Sequence, residues 1–345
     1  HDSITLSCDS MAVLEYGDEK DAKTESIAAG ETVTIKPGDS RLASGRLTFK
    51  SANDGGMITV HSLERAQGTP VYPGHMEITE ERDGLLLLNE VDLEEYLKRV
   101  TPSEMPPTYE LEALKAQAVA ARTYTVKHRE KHNGKLCTDS TCCQAFCEDG
   151  VFAAFSEEDR ERAAAALRET DGLVLTYEGA LIDATFFSCS GGRTEDALAV
   201  WGTDVPYLCS VASPGEEAAQ YDRDSVSFSR ETLEAALDIS LGEDKGSWVG
   251  AATFTEGGGV EAMELGGQRF TGVYLRKALG LRSTAFTVTV EEGGLRFDTR
   301  GYGHRVGLSQ YGANAMASHG ADFQTILSHY YPGTILLNYG ESVEK

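Results

Sequence analysis

Val100-Thr101-Pro102-Ser103-Glu104-Met105-Pro106-Pro107, followed at once by a helical run from Thr108 to about Lys131, constrains this chain more than any other stretch. Proline fixes its own φ and pushes the residue before it out of the helical region. Pro102 is therefore expected to end a helix that starts at Asp92. Asp92 and Glu95 have capping-box spacing, and Leu93, Tyr96, Leu97 and Val100 form one apolar stripe. Ser103 and Glu104 would then lie on a stiff, non-helical link. A carboxyl there, flanked by Val100 and Met105, is placed for a raised pKa. The plainer reading is a surface acid in a helix–helix connection.

The next helix carries Leu111, Leu114, Ala118 and Ala121 on one face, with small residues that allow close packing. Lys115 and Arg122 share a side of it. A solvated face suits Lys115; Arg122 fits a solvated face or a ligand contact equally. Cys137, Cys142, Cys143 and Cys147 then crowd a loop that His128 and His132 precede. Thiolates and imidazoles at such spacings suit tetrahedral Zn²⁺, and more donors are present than four sites need. Free thiols, or a Cys137–Cys143 or Cys142–Cys147 disulfide, are the alternatives.

Before this region, Ile4–Leu6, Thr32–Ile35, Leu47–Phe49 and Met57–Val60 read as short strands between turns. After it come an alanine-rich helix capped by Ser156 and Asp159, and a hairpin over Glu178-Gly179. The hairpin leads into Ser188-Cys189-Ser190-Gly191-Gly192-Arg193-Thr194-Glu195. From about Pro206 to Leu281 the composition turns acidic and Gly-rich, with no obvious chemistry. A last glycine run, Gly301-Tyr302-Gly303-His304-Arg305-Val306-Gly307-Leu308-Ser309-Gln310, opens a helix. It is expected to hold His304, Ser309 and Gln310 around a small polar space. The whole predicts an α+β protein. Residues 1–71 form a β-rich lead-in, 72–205 and 285–338 a core, and 206–284 an insertion.

Charge narrows the partners. The 345 residues carry 55 acids against 31 lysines and arginines, a net charge of −24. Nucleic acid is excluded as a partner and anionic polymers are disfavoured, whereas a neutral glycan is not repelled. The longest apolar run, Leu85–Leu88, is far short of a membrane span. The first residue is His1 rather than Met, so an N-terminal anchor outside these residues is expected.

Taken in order, several segments resemble the stage II sporulation protein D (SpoIID/LytB) family. They are Glu95-Tyr96-Leu97 through Pro106, Glu112-Ala113-Leu114-Lys115-Ala116-Gln117-Ala118 through Tyr124, Cys137 to Gln144, Ser190 to Glu195 with Trp201-Gly202, and Gly303 to Ala313 with Tyr330-Tyr331-Pro332-Gly333. The resemblance covers about Tyr72 to Gly333. It implies a peptidoglycan lytic transglycosylase of sporulation and engulfment, extracytoplasmic and membrane-anchored. Such an enzyme acts beside a SpoIIP-like amidase on glycan strands stripped of peptide. The family's catalytic acid falls on Glu104, and its zinc ligands on Cys137 and Cys143, with His132 as third. The family's Cys-Asp-x-Thr-His-Cys-Gln form is altered here. Cys142 stands at the histidine position, which keeps Cys142, Cys147 and His128 as rival ligands. Arg122, Ser190, Thr194, His304, Ser309 and Gln310 are expected to orient the sugar. A non-catalytic glycan-binding activator of an amidase is the rival reading.

Overall fold

The computed structural model describes residues 1–342 except 19, 54, 66–67, 138–141, 148–151, 153 and 218, and leaves aside the side chains of residues 132, 133, 341 and 342. The fold is α+β. The chain divides into two compact units, His1–Pro107 with Cys137–Leu167, and Thr108–Leu136 with Arg168–Lys345.

The first unit is led by two antiparallel sheets. One runs in the order Lys23–Ile27, Ala12–Tyr16, Arg46–Ser51, His75–Glu81 and Gly84–Glu90. The other runs Val33–Ile35, Ile4–Cys8, Ile58–Val60 and Val71–Tyr72. Period-2 alternation makes the core: Leu47 and Phe49 point in while Arg46, Thr48 and Lys50 do not. Ile4, Leu6, Leu14, Phe49, Met76 and Ile78 belong to one continuous apolar cluster.

Helix Leu93–Glu104 follows, with the Asp92 carboxylate accepting from the Glu94 and Glu95 amides. It does not stop at Pro102, as its sequence led us to expect. Pro102 lies inside it, and Glu104 is its last residue rather than part of a non-helical link. Proline forfeits the hydrogen bond to the carbonyl four residues back, that of Lys98, but the turn beyond it still closes, with the Met105 amide donating to the Thr101 carbonyl at 3.0 Å. The Arg99 carbonyl accepts from the Ser103 hydroxyl at 2.7 Å and the Cys147 thiol at 3.0 Å. The break comes at Met105, whose extended φ and ψ of −126° and 127° are those a residue before proline prefers.

The second unit is built on helix Leu111–His128. This helix has no single apolar face. Residues from Ala113 to Thr123 are buried on all sides, Lys115 and Arg122's neighbours included save for the half-buried Lys115 itself. Lys115 is not on a solvated face: it sits between Glu112 and Glu169, each at 2.6 Å. Strand Leu173–Tyr177 pairs with Ala180–Leu181 and, on its other edge, with Ile335–Asn338. Glu178 and Gly179, at φ 51° and 82°, make the hairpin turn. Phe186–Phe187 pairs in parallel with Leu308–Ser309, which brings the two glycine-rich segments side by side. A separate apolar cluster, from Leu233 to Phe297, joins sheet Arg223–Ser229, Gly294–Arg300, Phe286–Val290 to sheet Val249–Phe254, Val260–Leu265, Gln268–Thr271. Among the described residues no helix is long and apolar enough to cross a membrane.

Candidate active site

In the first unit, Glu104 ends its helix with the side chain half-buried. Loss of water around the carboxyl pushes its pKa up to about 7, and the Ala145 amide, which donates to Oε1, opposes that rise only in part. Ala145 belongs to the cysteine segment, which is tied along the same helix. The Cys147 amide and thiol both donate to the Arg99 carbonyl of that helix. The Phe146 ring stacks on Tyr96 at 5.5 Å and Tyr72 at 6.2 Å. The segment docked on the helix thus supplies the donor that meets the acid.

The sulfurs of Cys137, Cys142 and Cys143 lie within 4.8 Å of one another. Three thiolates around one Zn²⁺, each bonded at about 2.3 Å, stand roughly 3.8 Å apart, so the cluster fits the ion with little movement. The described residues hold no disulfide between the sequence's candidate pairs, Cys137–Cys143 and Cys142–Cys147. Cys142, a rival ligand from the sequence, is thus grouped with Cys137 and Cys143. Cys147 is spent on a helix carbonyl. The side chain of His132 is outside the described residues. His128, in the second unit, is paired with Asp183 at 2.9 Å and holds that carboxyl below its usual range.

In the second unit the sequence-predicted sugar contacts are brought together, but as a buried frame. The glycine run does not enclose an open polar space. The carboxylate of Glu216 fills it. Its Oε2 accepts from the Ser190 amide at 2.7 Å, the Ser190 hydroxyl at 2.8 Å and the Gly191 amide at 2.9 Å. Its Oε1 accepts from the Ser213 and Ser309 hydroxyls, both at 2.6 Å. Ser190, Thr194, Ser309 and Arg122 are fully buried and Gln310 nearly so. The Thr194 hydroxyl accepts from the Val211 amide at 2.8 Å. The Arg122 guanidinium donates to the Leu173 carbonyl at 3.3 Å, and Gln310 to Gln117 at 3.4 Å. Gly191 and Gly301 let the two segments touch: a Cβ on Gly301 would lie 2.6 Å from the Cys189 carbonyl oxygen.

Arg305 is the second organiser. It takes a left-handed φ of 67°, which costs a non-glycine residue about 1–2 kcal/mol. Its guanidinium reaches the carbonyls of Ser190, Arg193 and Gly257 and the Glu195 carboxylate, at 2.7–3.0 Å. His304 is half-buried between Phe187 and Trp201, at 5.6 and 5.3 Å between ring centroids. Burial lowers its pKa to about 4, so the ring is neutral near pH 7. Nδ1 accepts the Val306 amide at 3.1 Å, which leaves the proton on Nε2. The ring is a wall, not a proton carrier. Sequence reasoning missed Glu216 and Arg305. Glu216 lies in an acidic tract that also holds exposed Glu217, and nothing local distinguishes the buried acid from the exposed one.

A family model described as "Stage II sporulation protein" matches residues 81–177. The chain is 36% identical over 255 residues to Stage II sporulation protein D of Bacillus subtilis, covering 71% of this chain and 74% of that one. It is 33% identical over 291 residues to the protein of the same name from Bacillus amyloliquefaciens, covering 81% and 84%. It is also similar to the amidase enhancer of Bacillus subtilis, 30% identical over 302 residues, covering 70% of this chain but 40% of that longer one.

Proposed function

The chain belongs to the stage II sporulation protein D family, and from that premise we propose that it is an extracytoplasmic lytic transglycosylase cutting the MurNAc–GlcNAc bond of peptide-stripped glycan. The observation that carries this reading is Glu104, a carboxyl with a pKa pushed up to about 7 and, among the described residues, no second carboxyl acting on it. Glycoside hydrolases commonly need two carboxyls, one as acid and one as base or nucleophile. An intramolecular nucleophile removes that need. Protonated Glu104 gives its proton to the glycosidic oxygen as the bond to C1 breaks. The resulting carboxylate takes the proton of the MurNAc C6 hydroxyl as O6 closes on C1. The product is a 1,6-anhydro end, no water is consumed, and Glu104 ends as it began. Holding O6 beside C1 within one ring gives a large effective-concentration advantage. A pKa near 7 suits a group that must act first as acid and then as base.

Zinc fits this reading as a clamp on the cysteine segment. Cys137, Cys142 and Cys143 would hold it, with His132 the fourth ligand. Its contribution is a cross-link, because three thiolates and an imidazole leave no open position for catalysis. Arg122, Ser190, Thr194, Ser309 and Gln310 serve by fixing the frame rather than by touching sugar, and residues 206–284 are an insertion in the core of 72–205 and 285–338.

Glu104→Gln keeps the size of the side chain and removes the proton. Digestion of purified peptide-free glycan, followed by mass spectrometry, should show anhydro ends from the native protein. The variant should lose about 10²–10⁴-fold in rate. Reducing ends in place of anhydro ends would make it a hydrolase. The similarity to an amidase enhancer favours one second reading, a glycan-bound activator of a cell-wall amidase. On that reading the purified protein releases no fragments but raises the rate of a SpoIIP-like amidase.

A further inference from the structure

Arg276 is a cation without a counter-charge in a strongly acidic protein. Among the described residues no carboxylate lies in ion-pair range of it, whereas Arg282, a few residues on, is bound to Asp224 at 3.2 Å. Arg276 is half-buried, and loss of water lowers its pKa. Among the described residues its guanidinium makes one hydrogen bond, from Nε to the Arg282 carbonyl at 3.2 Å. That same carbonyl accepts the Gly303 amide at 3.0 Å, which places the Arg276 guanidinium next to the link between Tyr302 and His304. Its charge acts on both of those side chains.

The surroundings are aromatic and open. Tyr302 is 43% exposed and Trp201 46% exposed. Trp201 leans on His304, and Tyr302 is braced by Tyr221 at 5.3 Å and by the Arg282 guanidinium at 5.8 Å. Large rings held in place yet exposed have desolvated surface to offer a flat ligand. The C–H-lined face of a pyranose is such a ligand. A half-buried guanidinium whose terminal nitrogens meet no acceptor among the described residues favours a carboxylate that can accept two parallel hydrogen bonds.

We propose that Trp201, Tyr302 and Arg276 form a subsite for a pyranose ring bearing a carboxylate, the rings stacking on the sugar and the guanidinium taking the acid. This rests on the reading of peptide-stripped glycan as substrate, and it says how stripping would be sensed. Muramic acid exposes its lactyl carboxylate only once the peptide is gone. Amide-linked lactyl groups offer no charge to Arg276.

The test uses the full chain carrying Glu104→Gln, so that no ligand is consumed. Its binding to a GlcNAc–MurNAc tetrasaccharide with free lactyl acids is compared by calorimetry with binding to the same sugar after amidation. The acid form should bind about tenfold tighter, as a charge-assisted pair implies. Arg276→Gln should erase that ratio and leave binding of the amidated sugar as it was. Arg276→Lys should restore part of the ratio. Trp201→Ala should weaken both sugars alike. An Arg276→Gln protein that keeps its preference, that loses both sugars equally, or a parent that binds neither sugar overturns the proposal. Failure of the catalytic reading shows separately, as absence of anhydro ends from the native protein while the preference persists.

Discussion

Two acids with opposite surroundings illustrate what burial does to a carboxyl. Glu216 meets the amides of Ser190 and Gly191 and the hydroxyls of Ser190, Ser213 and Ser309. Its removal would orphan those donors inside the protein, each at about 1–3 kcal/mol unless water enters. Glu216→Ala should therefore lower stability by about 3 kcal/mol or more, read as a shift of the urea midpoint at unchanged slope. A shift below about 1 kcal/mol would mean that the frame does not depend on it. Glu104 has the Ala145 amide for company, and its folded-state pKa, about 7, lies above the ordinary value of 4.5. The folded carboxyl holds its proton more tightly than the unfolded one. Its contribution to stability is thus complete below about 4.5 and is lost as pH rises through about 7. Glu104→Gln cannot ionise and escapes that loss. The variant's melting temperature should gain on that of the native protein between pH 5 and pH 8, and a difference that stays flat would place the carboxyl in water.

At the scale of elements, the cysteine segment depends on a helix that its own sequence describes poorly. Pro102 reads as a stop, because the loss of an amide is visible in the sequence. The docking of the cysteine segment on that helix is not visible, because Cys147 reaches the Arg99 carbonyl from 48 residues away. Strands Ile4–Cys8, Arg46–Ser51 and Ile58–Val60 were legible from alternation, and the caps at Asp92 and Ser156 from side-chain type. Lys23–Ile27 was not, since an exposed edge strand of mostly polar residues carries no apolar period. Ile335–Asn338 was missed because its partner, Leu173–Tyr177, is remote in sequence. The candidate site divides the same way. Glu104, the cysteines and both glycine runs stand out locally, but the choice of Cys142, Glu216 and Arg305 is made by tertiary contacts. Purified protein should carry about one zinc per chain by elemental analysis, and Cys142→Ser should lose most of it. On the reading of zinc as a clamp on the segment that presents the Ala145 amide, chelation should slow glycan cleavage without abolishing it. Full activity in zinc-free protein would remove the clamp from the mechanism.

For the whole molecule, a net charge of −24 sets the long-range field before any contact forms. Bacterial wall that carries anionic polymer repels such a protein, whereas purified neutral glycan does not, and the two can be compared in one sedimentation assay. At about 0.15 M salt the field reaches roughly 8 Å, and at 1 M roughly 3 Å. Salt should therefore raise the bound fraction on wall that keeps its anionic polymer. On glycan stripped of both that polymer and its stem peptides, only the muramyl carboxylates remain. There the short-range pull of Arg276 on a lactyl acid offsets the repulsion, and salt should change binding little. The Arg276→Gln chain loses the offset but keeps the field, so salt should now help it bind stripped glycan as well. Binding that falls steeply with salt on every surface would mean that a basic patch, not the aromatic and polar contacts argued above, holds the polymer. The sign of the salt response thus separates recognition by aromatic rings and one guanidinium from simple adhesion by opposite charge.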